Sequence, residues 1–200
     1  MGTYSSATRQ GAYEPFELQV ARGQIDGHTQ YFRFGWANSI GTTTQTITTA
    51  VTAGSAYVYP AAATVMSVSS SSANDKGTAT AGTGARTILV VGLDANYVSQ
   101  SEVITLNGQT AVSTVNSYLR ITYTELLTTG SGNGQAGTIY IGTGTVTAGV
   151  PAVLYDIIAT GYNNRTTGHY CVPAGYTGYM TRGMLTVGQA SGSTSITAKL

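Results

Sequence analysis

Charge is scarce in this chain. Asp, Glu, Lys and Arg together make up 8% of its 200 residues, and the formal net charge is +1. An average soluble domain has about 25% charged residues. Lysine occurs only at Lys76 and Lys199. Proteins that bind nucleic acid present clustered Lys and Arg, so we expect no nucleic-acid partner.

Cysteine and long apolar runs are equally rare. Cys171 is the only cysteine, so one chain cannot form an internal disulfide. No run reaches the roughly 18 apolar residues that a membrane-spanning helix needs. The first residues also lack the apolar core of a secretory signal. We therefore expect neither a membrane partner nor a secretory signal.

Hydroxyl-bearing and small residues take the place of charge. The sequence contains 34 Thr, 17 Ser, 26 Gly and 14 Tyr. Thr, Val, Ile and Tyr favour strands, whereas Gly, Asn and Ser favour turns. No apolar stripe at helical spacing continues for three turns. The pattern predicts an all-β protein, specifically an antiparallel, jelly-roll-like β-sandwich with an extended N-terminal arm.

The sequence divides into three parts. Residues 1–14 form the arm, residues 15–60 the N-terminal β strands, and residues 61–200 the main β-sandwich, with which 15–60 can be continuous. In the middle part, alternation predicts strands at 16–20, 31–36 and 43–51. In the main part it predicts strands at 64–70, 86–91, 100–106, 110–115, 118–127, 138–141, 152–158, 169–172, 179–187 and 195–200. Asn107-Gly108 is the strongest hairpin signal, because both central positions of a type I′ turn need positive φ.

Alternation of antiparallel strands sorts the connections into two groups. Every second connection lies at the same end of a sandwich. One end should collect 71–85, 107–108, 128–137, 159–168 and 188–194, and the other 92–97, 115–117, 142–151 and 173–178. Loops clustered on a rigid scaffold are common binding surfaces. The candidate interface therefore comprises the first group's polar tips and two arm tyrosines: Asn74, Asp75, Asn133, Asn163, Asn164, Arg165, Tyr4 and Tyr13.

Three patterns could instead carry chemistry. His169 and Cys171 would share a strand face near Asp156, but a structural zinc site needs four Cys or His and the chain has three. Asp26 and His28 could belong to a Ser-His-Asp triad, but no Gly-x-Ser-x-Gly motif occurs. The eight carboxylates are spread singly, which disfavours a glycosidase. We expect no metal, no cofactor and no catalytic residue.

Two further patterns have a structural interpretation. The glycines of Gly82-Thr-Gly84 lack the lysine and the strand-to-helix context of a phosphate loop, so they are interpreted as turn residues. The aromatic run Tyr31, Phe32, Phe34 and Trp36 could stack on sugars or bases. We interpret it as a core strand.

Residues 57–121 contain three distinctive strings: SSSANDKGTATAGTGARTI at 70–88, GLDANY at 92–97 and SEVITLNGQTAV at 101–112. Through these strings, the stretch resembles a module found in virion structural proteins of tailed bacteriophages that infect marine and freshwater bacteria. TTGSGNGQAGTIYI at 128–141 and YCVPAGYTGYMT at 170–181 resemble its continuation, and YFRFGWANSI at 31–40 its beginning. The resemblance implies a structural virion component and offers no catalytic residues.

These observations favour a non-enzymatic bacteriophage protein that is assembled in the host bacterial cytoplasm and located in the virion. The first hypothesis is a capsid decoration, or cement, protein that bridges subunits of the major capsid protein. It would be a homo-oligomer, with a trimer favoured. The second is a tail, neck or fibre component for assembly or host attachment. The third is a depolymerase of the host surface.

Overall fold

The computed structural model describes residues 14–35, 57–78, 80–184 and 186. Its elements are α1 (Phe16–Ala21), β1 (Thr64–Ser70), β2 (Ala85–Leu93), β3 (Ser99–Thr105), β4 (Val112–Tyr118), β5 (Arg120–Thr129), β6 (Ile139–Thr147) and β7 (Val150–Ile158). Within these ranges, no helix has the length and apolar character needed to cross a bilayer. The arm and the predicted strands at 43–51 and 195–200 lie outside the described residues.

The seven strands form two antiparallel sheets that pack face to face. The four-stranded sheet has the order β4-β1-β6-β7, and the three-stranded sheet has the order β3-β2-β5. The β-sandwich predicted from the alternating pattern is confirmed. A complete jelly roll has eight strands, and the described residues provide seven.

The core lies between the sheets and draws on both. Met66 and Ile141 of the larger sheet pack in one cluster with Ile88 and Ile121 of the smaller sheet, and all four are buried. Burying such a side chain stabilises a fold by about 1.5–3 kcal/mol. The inward residues of β2 alternate with half-buried ones, as the period of two requires.

The prediction of a strand at residues 16–20 is wrong, because this stretch is the helix α1. The carbonyl of Pro15 accepts hydrogen bonds from the N–H groups of Leu18 (3.0 Å) and Gln19 (3.2 Å), which starts the first turn. Glu17 in that turn is favourable beside the positive end of the helix dipole. Six residues are too few to display a helical apolar period, so the alternation of Phe16 and Leu18 was misleading.

The predicted core strand at 31–36 is also wrong over its described part. Residues 31–35 belong to no sheet, and Phe32 is 82% exposed; Trp36 lies outside the described residues. Residues 169–172 likewise form no strand, nor do residues 179–184, the continuous described part of the prediction at 179–187. Arg33 instead contacts Tyr123 of β5 through its side chain, and His169 contacts Arg165.

The described connections of the first group meet at one end of the sandwich, as the alternation argument predicts. The N–H of Gly130 donates to the carbonyl of Gly84 (2.7 Å), and the N–H of Gly108 donates to the carbonyl of Asp75 (2.8 Å). The side chain of Gln135 donates to the carbonyl of Ala159 (2.8 Å). We call this the polar end; it comprises residues 71–84, 107–109, 130–137 and 159–163.

One connection departs from that prediction. The β6–β7 turn contains Gly149, which was expected at the opposite end but packs against Ser69 and Ser70. Ser69 Oγ donates to the Gly149 carbonyl (3.0 Å), and a Cβ on Gly149 would lie 1.8 Å from the Ser70 carbonyl oxygen. Register shifts after Ile141 and Thr143 bend this hairpin back over β1.

Candidate interaction site

The chain after β7 runs along the outer edge of β5 and reaches the end opposite the polar end. The N–H of Leu126 donates to the carbonyl of Asn163 (2.7 Å), and the N–H of Arg165 donates to that of Thr124 (2.9 Å). The N–H of Ala174 then donates to the carbonyl of Tyr97 (2.8 Å), in the turn between β2 and β3. Residues 163–165 therefore pair with the edge of β5, and the chain after them reaches the opposite end of the sandwich at Ala174.

A buried ion pair holds this segment to the sandwich. Arg165 Nη2 lies 3.2 Å from Asp156 Oδ1 of β7, and both side chains are buried. Thr124 Oγ1 donates to Asp156 Oδ2 (3.0 Å), and Thr167 Oγ1 donates to Oδ1. Arg165 Nε donates to Thr167 Oγ1 (2.7 Å), and Nη1 donates to the carbonyl of Thr122. A buried pair is favourable only when its remaining polar atoms are satisfied in this way.

His169 closes the same network. Its Nε2 lies 3.1 Å from Arg165 Nη2, so it accepts a hydrogen bond from the guanidinium in the neutral form of the ring. Burial lowers the pKa of His169 to about 4, and the positive charge of Arg165 adds to the effect. The ring also stacks on Tyr57, with 4.3 Å between centroids. His169 is thus a packed, hydrogen-bonded residue.

Arg33 joins the segment around residues 31–34 to this edge. Its guanidinium carbon lies 5.2 Å from the ring centre of Tyr31, 5.5 Å from that of Tyr123 on β5, and 5.0 Å from that of Tyr170. Contacts of this kind attract a cation to the negative ring face. Burial, followed by repulsion from Arg165, lowers the pKa of Arg33. Three parts of the chain distant in sequence therefore meet at one side chain.

Arg120 plays the equivalent part at the end opposite the polar end. Its Nη1 donates to the carbonyl of Pro60 (3.0 Å), and its guanidinium carbon lies 4.7 Å from the ring centre of Tyr59 and 5.9 Å from that of Tyr97. Tyr59, Tyr97 and the neighbouring Val98 are all exposed. We call these three residues the aromatic surface.

The segment beyond Ala174 is exposed and rich in large apolar side chains. Tyr179 is 84% exposed, Met180 78% and Met184 88%, and Tyr176 is exposed as well. Among the described residues, this stretch contains more strongly exposed apolar side chains than any other continuous stretch of the same length. We call residues 175–184 the C-terminal segment.

Of the residues predicted from the sequence to be polar loop tips, some are exposed and others are buried. Asn74, Asn133 and Asn163 are exposed at the polar end, and Asn164 is half-buried and forms a bridge with Glu125 of β5. Their role as an interface stays a prediction. Tyr4 and Tyr13 lie outside the described residues.

The prediction that Asp75 is an exposed loop tip is wrong, because Asp75 is fully buried. Its Oδ1 accepts hydrogen bonds from the N–H groups of Ala85 and Ala136 (both 2.7 Å), and its Oδ2 accepts from the N–H of Gly137 (2.9 Å) and from Ser70 Oγ (2.5 Å). A Cβ on Gly84 would lie 2.1 Å from Oδ1, so only glycine fits there. Asp75 fastens the loops of the polar end to one another.

The prediction that Arg165 is an exposed loop tip is also wrong, because Arg165 is buried in the ion pair with Asp156. Sequence reasoning also missed Arg33 and Arg120 as residues that organise aromatic side chains. A local signal existed for Arg33, which lies among aromatic residues in YFRF and contacts one of them, Tyr31. Its partners Tyr123 and Tyr170 are distant in sequence. The rings that contact Arg120, Tyr59 and Tyr97, are distant in sequence as well.

The residues considered for catalysis are placed as follows. Among the residues described, no group of three or more His, Cys, Asp and Glu side chains is arranged to hold a metal ion. Cys171 is half-buried, and its thiol lies 3.9 Å from the carbonyl oxygen of Val172. His28 Nδ1 lies 3.0 Å from the backbone carbonyl of Asp26, not from its carboxylate. Asp26–His28 therefore does not have the carboxylate–imidazole contact of a triad in this structure.

In comparisons with known proteins, no family model matches this chain, and neither a curated protein nor a solved structure matches it.

Proposed function

We propose that this chain is a non-enzymatic structural protein of a tailed-bacteriophage virion. Its place is the outer face of the capsid, where it acts as a decoration protein that bridges subunits of the major capsid protein. It acts there as a homo-oligomer, with a trimer favoured, and needs no cofactor. The resemblance of residues 57–121 to virion structural proteins supports the assignment to a phage.

The observation that carries the proposal is the exposed apolar material at one end of a rigid sandwich. The aromatic surface and the C-terminal segment together expose four tyrosines, two methionines and a valine. Exposed apolar patches of this kind mark interaction sites. Tyr is enriched at interface cores, and Lys and Glu are depleted there.

The low charge of the chain supports permanent assembly rather than free diffusion. A dispersed small domain normally keeps its net charge well away from zero, whereas this chain has a net charge of +1. Polar groups at the surface are mainly hydroxyls and amides. A surface of this kind can lie against another protein without leaving unpaired charges buried.

The mechanism follows from rigidity and repetition. The buried Asp156–Arg165 pair holds the chain around residue 165, and the Asp75 network holds the loops of the polar end, in fixed positions on the sandwich. Rigid segments lose little conformational entropy when they bind. Many copies on one shell then act together, so that modest contacts at each site resist expansion of the capsid cumulatively.

Quantitative mass spectrometry of purified particles tests this proposal. The ratio of this chain to the major capsid protein is measured with isotope-labelled peptides from both. A decoration protein gives a ratio of the order of one to a few capsid subunits per copy. A few copies per particle would place the chain in the neck or tail, and absence from particles would refute a virion role.

A further inference from the structure

We propose that Asn133 is a site of spontaneous deamidation, at which the folded chain converts this asparagine into aspartate and isoaspartate without an enzyme. Two asparagines of the sequence are followed by glycine, at Asn107-Gly108 and at Asn133-Gly134. The structure holds the first pair in place and leaves the second pair able to react. The reaction needs no partner, so it does not depend on the proposed place of the protein in a virion.

The reaction joins two groups that are neighbours in the chain. The backbone nitrogen of Gly134 loses its proton to solvent and attacks the side-chain carbonyl carbon Cγ of Asn133. A C–N bond forms, the side-chain amide nitrogen takes up a proton and leaves as ammonia, and a cyclic succinimide results. Water then opens the ring at either carbonyl, which gives aspartate or isoaspartate. Glycine favours the attack, because it has no side chain to shield its nitrogen.

The attack requires the peptide between the two residues to rotate until its nitrogen faces Cγ. Among the hydrogen bonds between described residues, none has the N–H of Gly134 as its donor. A Cβ on Gly134 would meet no atom of the described chain within 4 Å. The side chain of Asn133 is exposed, and its φ of 55° is in a region that side-chain-bearing residues adopt at a cost. Neither hydrogen bonding nor packing therefore opposes the rotation.

The rest of this loop is anchored, which confines the motion to one peptide. The N–H of Asn133 donates to the carbonyl of Gly130 (3.2 Å), just before that peptide. The N–H of Ala136 donates to Asp75 Oδ1 (2.7 Å), shortly after it. The polar end does not have to unfold for the nitrogen of Gly134 to reach Cγ, so the native protein should react.

Asn107-Gly108 is the same dipeptide in surroundings that oppose the reaction. Gly108 is buried, and its N–H donates to the carbonyl of Asp75 (2.8 Å). A Cβ on Gly108 would lie 2.9 Å from the carbonyl oxygen of Ala73, so the backbone is closely packed there. Asn107 Oδ1 accepts a hydrogen bond from Thr78 Oγ1 (3.0 Å). This pair can react only when the polar end opens locally, which lowers its rate by the small fraction of open molecules.

Deamidation would change the surface of the polar end. Each event replaces a neutral amide by a carboxylate, and the formal net charge of the chain falls from +1 to 0. Isoaspartate also adds a methylene group to the backbone of the loop. The two forms of the protein therefore differ in charge at the loop tips that the sequence predicts to be an interface.

Peptide-resolved mass spectrometry of the full chain, incubated at mildly alkaline pH, tests the proposal. Conversion in the native protein should be at least about tenfold faster at Asn133 than at Asn107, because only Asn107 has to wait for local opening. In concentrated urea, where neither pair is held by the fold, the two rates should agree within about twofold. A methyltransferase specific for isoaspartyl groups should label the peptide that contains residue 133.

The variant Gly134→Ala tests the attacking nitrogen. The added methyl group fits, because it meets no described atom within 4 Å and the φ of Gly134 lies outside the left-handed region. The methyl group shields the nitrogen, so conversion of Asn133 should slow by about tenfold while the thermal stability stays that of the wild type. The matched control is conversion of Asn107 in the same variant, which should not change.

Three results would overturn the proposal. They are equal native rates at Asn133 and Asn107, an Asn133 that stays intact while the unfolded chain reacts, and a Gly134→Ala variant that converts as fast as the wild type. If Gly134→Ala is less stable than the wild type, the comparison of the two pairs in the native wild type decides. The copy number in a particle affects none of these rates, so a failed virion proposal and a failed deamidation proposal are distinguishable.

Discussion

The guanidinium of Arg165 lies 3.2 Å from the carboxylate of Asp156 in a place from which solvent is excluded. The pair joins the segment after the last strand to β7 and, through Thr124, to β5. One carboxylate therefore links both sheets with the chain that covers their edge. The pair therefore fixes the chain around residue 165 to the sandwich.

Removing one partner of this pair should destabilise the protein strongly. We expect Arg165→Met to lower the free energy of unfolding by about 3–5 kcal/mol, because it leaves a buried carboxylate without its cation. Asp156→Asn should act similarly. The double variant should lose less than the sum of the two, since it buries no uncompensated charge. Urea unfolding followed by circular dichroism gives these values.

The matched control is the exposed pair of Arg22 and Glu14. Arg22→Met should change the free energy of unfolding by less than about 1 kcal/mol, because exposed pairs contribute little. Equal effects of Arg165→Met and Arg22→Met would contradict the importance of the buried pair.

Stability should depend on pH through His169. Its pKa in the folded protein is about 4, below the ordinary value of 6.5. The unfolded chain therefore takes up the proton first as the pH falls. The favourable contribution of neutral His169 to the free energy of unfolding is fully present above pH 6.5. It is lost as the pH falls from 6.5 to about 4, and it changes no further below that pH. The total loss is up to about 3 kcal/mol.

The comparison that isolates this effect is His169→Gln, whose amide oxygen can still accept a hydrogen bond from Arg165. The difference between wild type and variant in urea unfolding midpoints should shrink or reverse from pH 7 to pH 4, because carboxylate titrations are common to both. A difference that stays constant over this range would show that His169 is protonated equally in the folded and unfolded chains.

Asp75→Asn should loosen the polar end. An amide has one acceptor oxygen, and its nitrogen would face the N–H groups that the carboxylate now satisfies. We expect a loss of about 2–3 kcal/mol and faster proteolysis within residues 71–84. The same change at the half-buried turn residue Asp94 keeps the one acceptor oxygen that both N–H groups use, and it should cost under about 1 kcal/mol. Equal costs at the two positions would contradict the role assigned to Asp75.

The features set by local chemistry could be predicted from sequence. Alternation predicts β1 with its observed bounds, Thr64–Ser70. The Asn107-Gly108 pair predicts a turn, and Gly108 has a φ of 63°. The type I′ hairpin predicted there is wrong, because Asn107 does not have a positive φ and the flanking strands β3 and β4 lie in different sheets. Alternation of strand direction predicts that the connections at 71–85 and 128–137 meet, because this depends only on counting strands.

The features that depend on contacts between residues distant in sequence could not be predicted from the sequence. Asp75 is polar and surrounded by small residues, which is typical of an exposed loop, but two of its hydrogen-bond donors lie 61 and 62 residues away. Arg165 follows two asparagines and has the same local appearance. The aromatic alternation of residues 31–34 resembles a strand, whereas stacking around Arg33 holds this segment without a sheet.

Deletion of residues 1–14 tests the hypothesis that the arm fastens the protein to the particle. The arm has no periodic apolar face, so we expect it to bind a neighbouring subunit rather than to pack into the core. Particles assembled with the truncated chain should contain several-fold fewer copies, while the sandwich keeps its thermal stability. Undiminished incorporation would show that the arm is not an anchor.

A cryo-EM reconstruction of the particle that contains this chain tests the central proposal most directly. The proposal predicts density for the seven-stranded sandwich on the outer face of the capsid, repeated at joints between capsid subunits. Density confined to the neck or tail, or a capsid lattice without the sandwich, would contradict it.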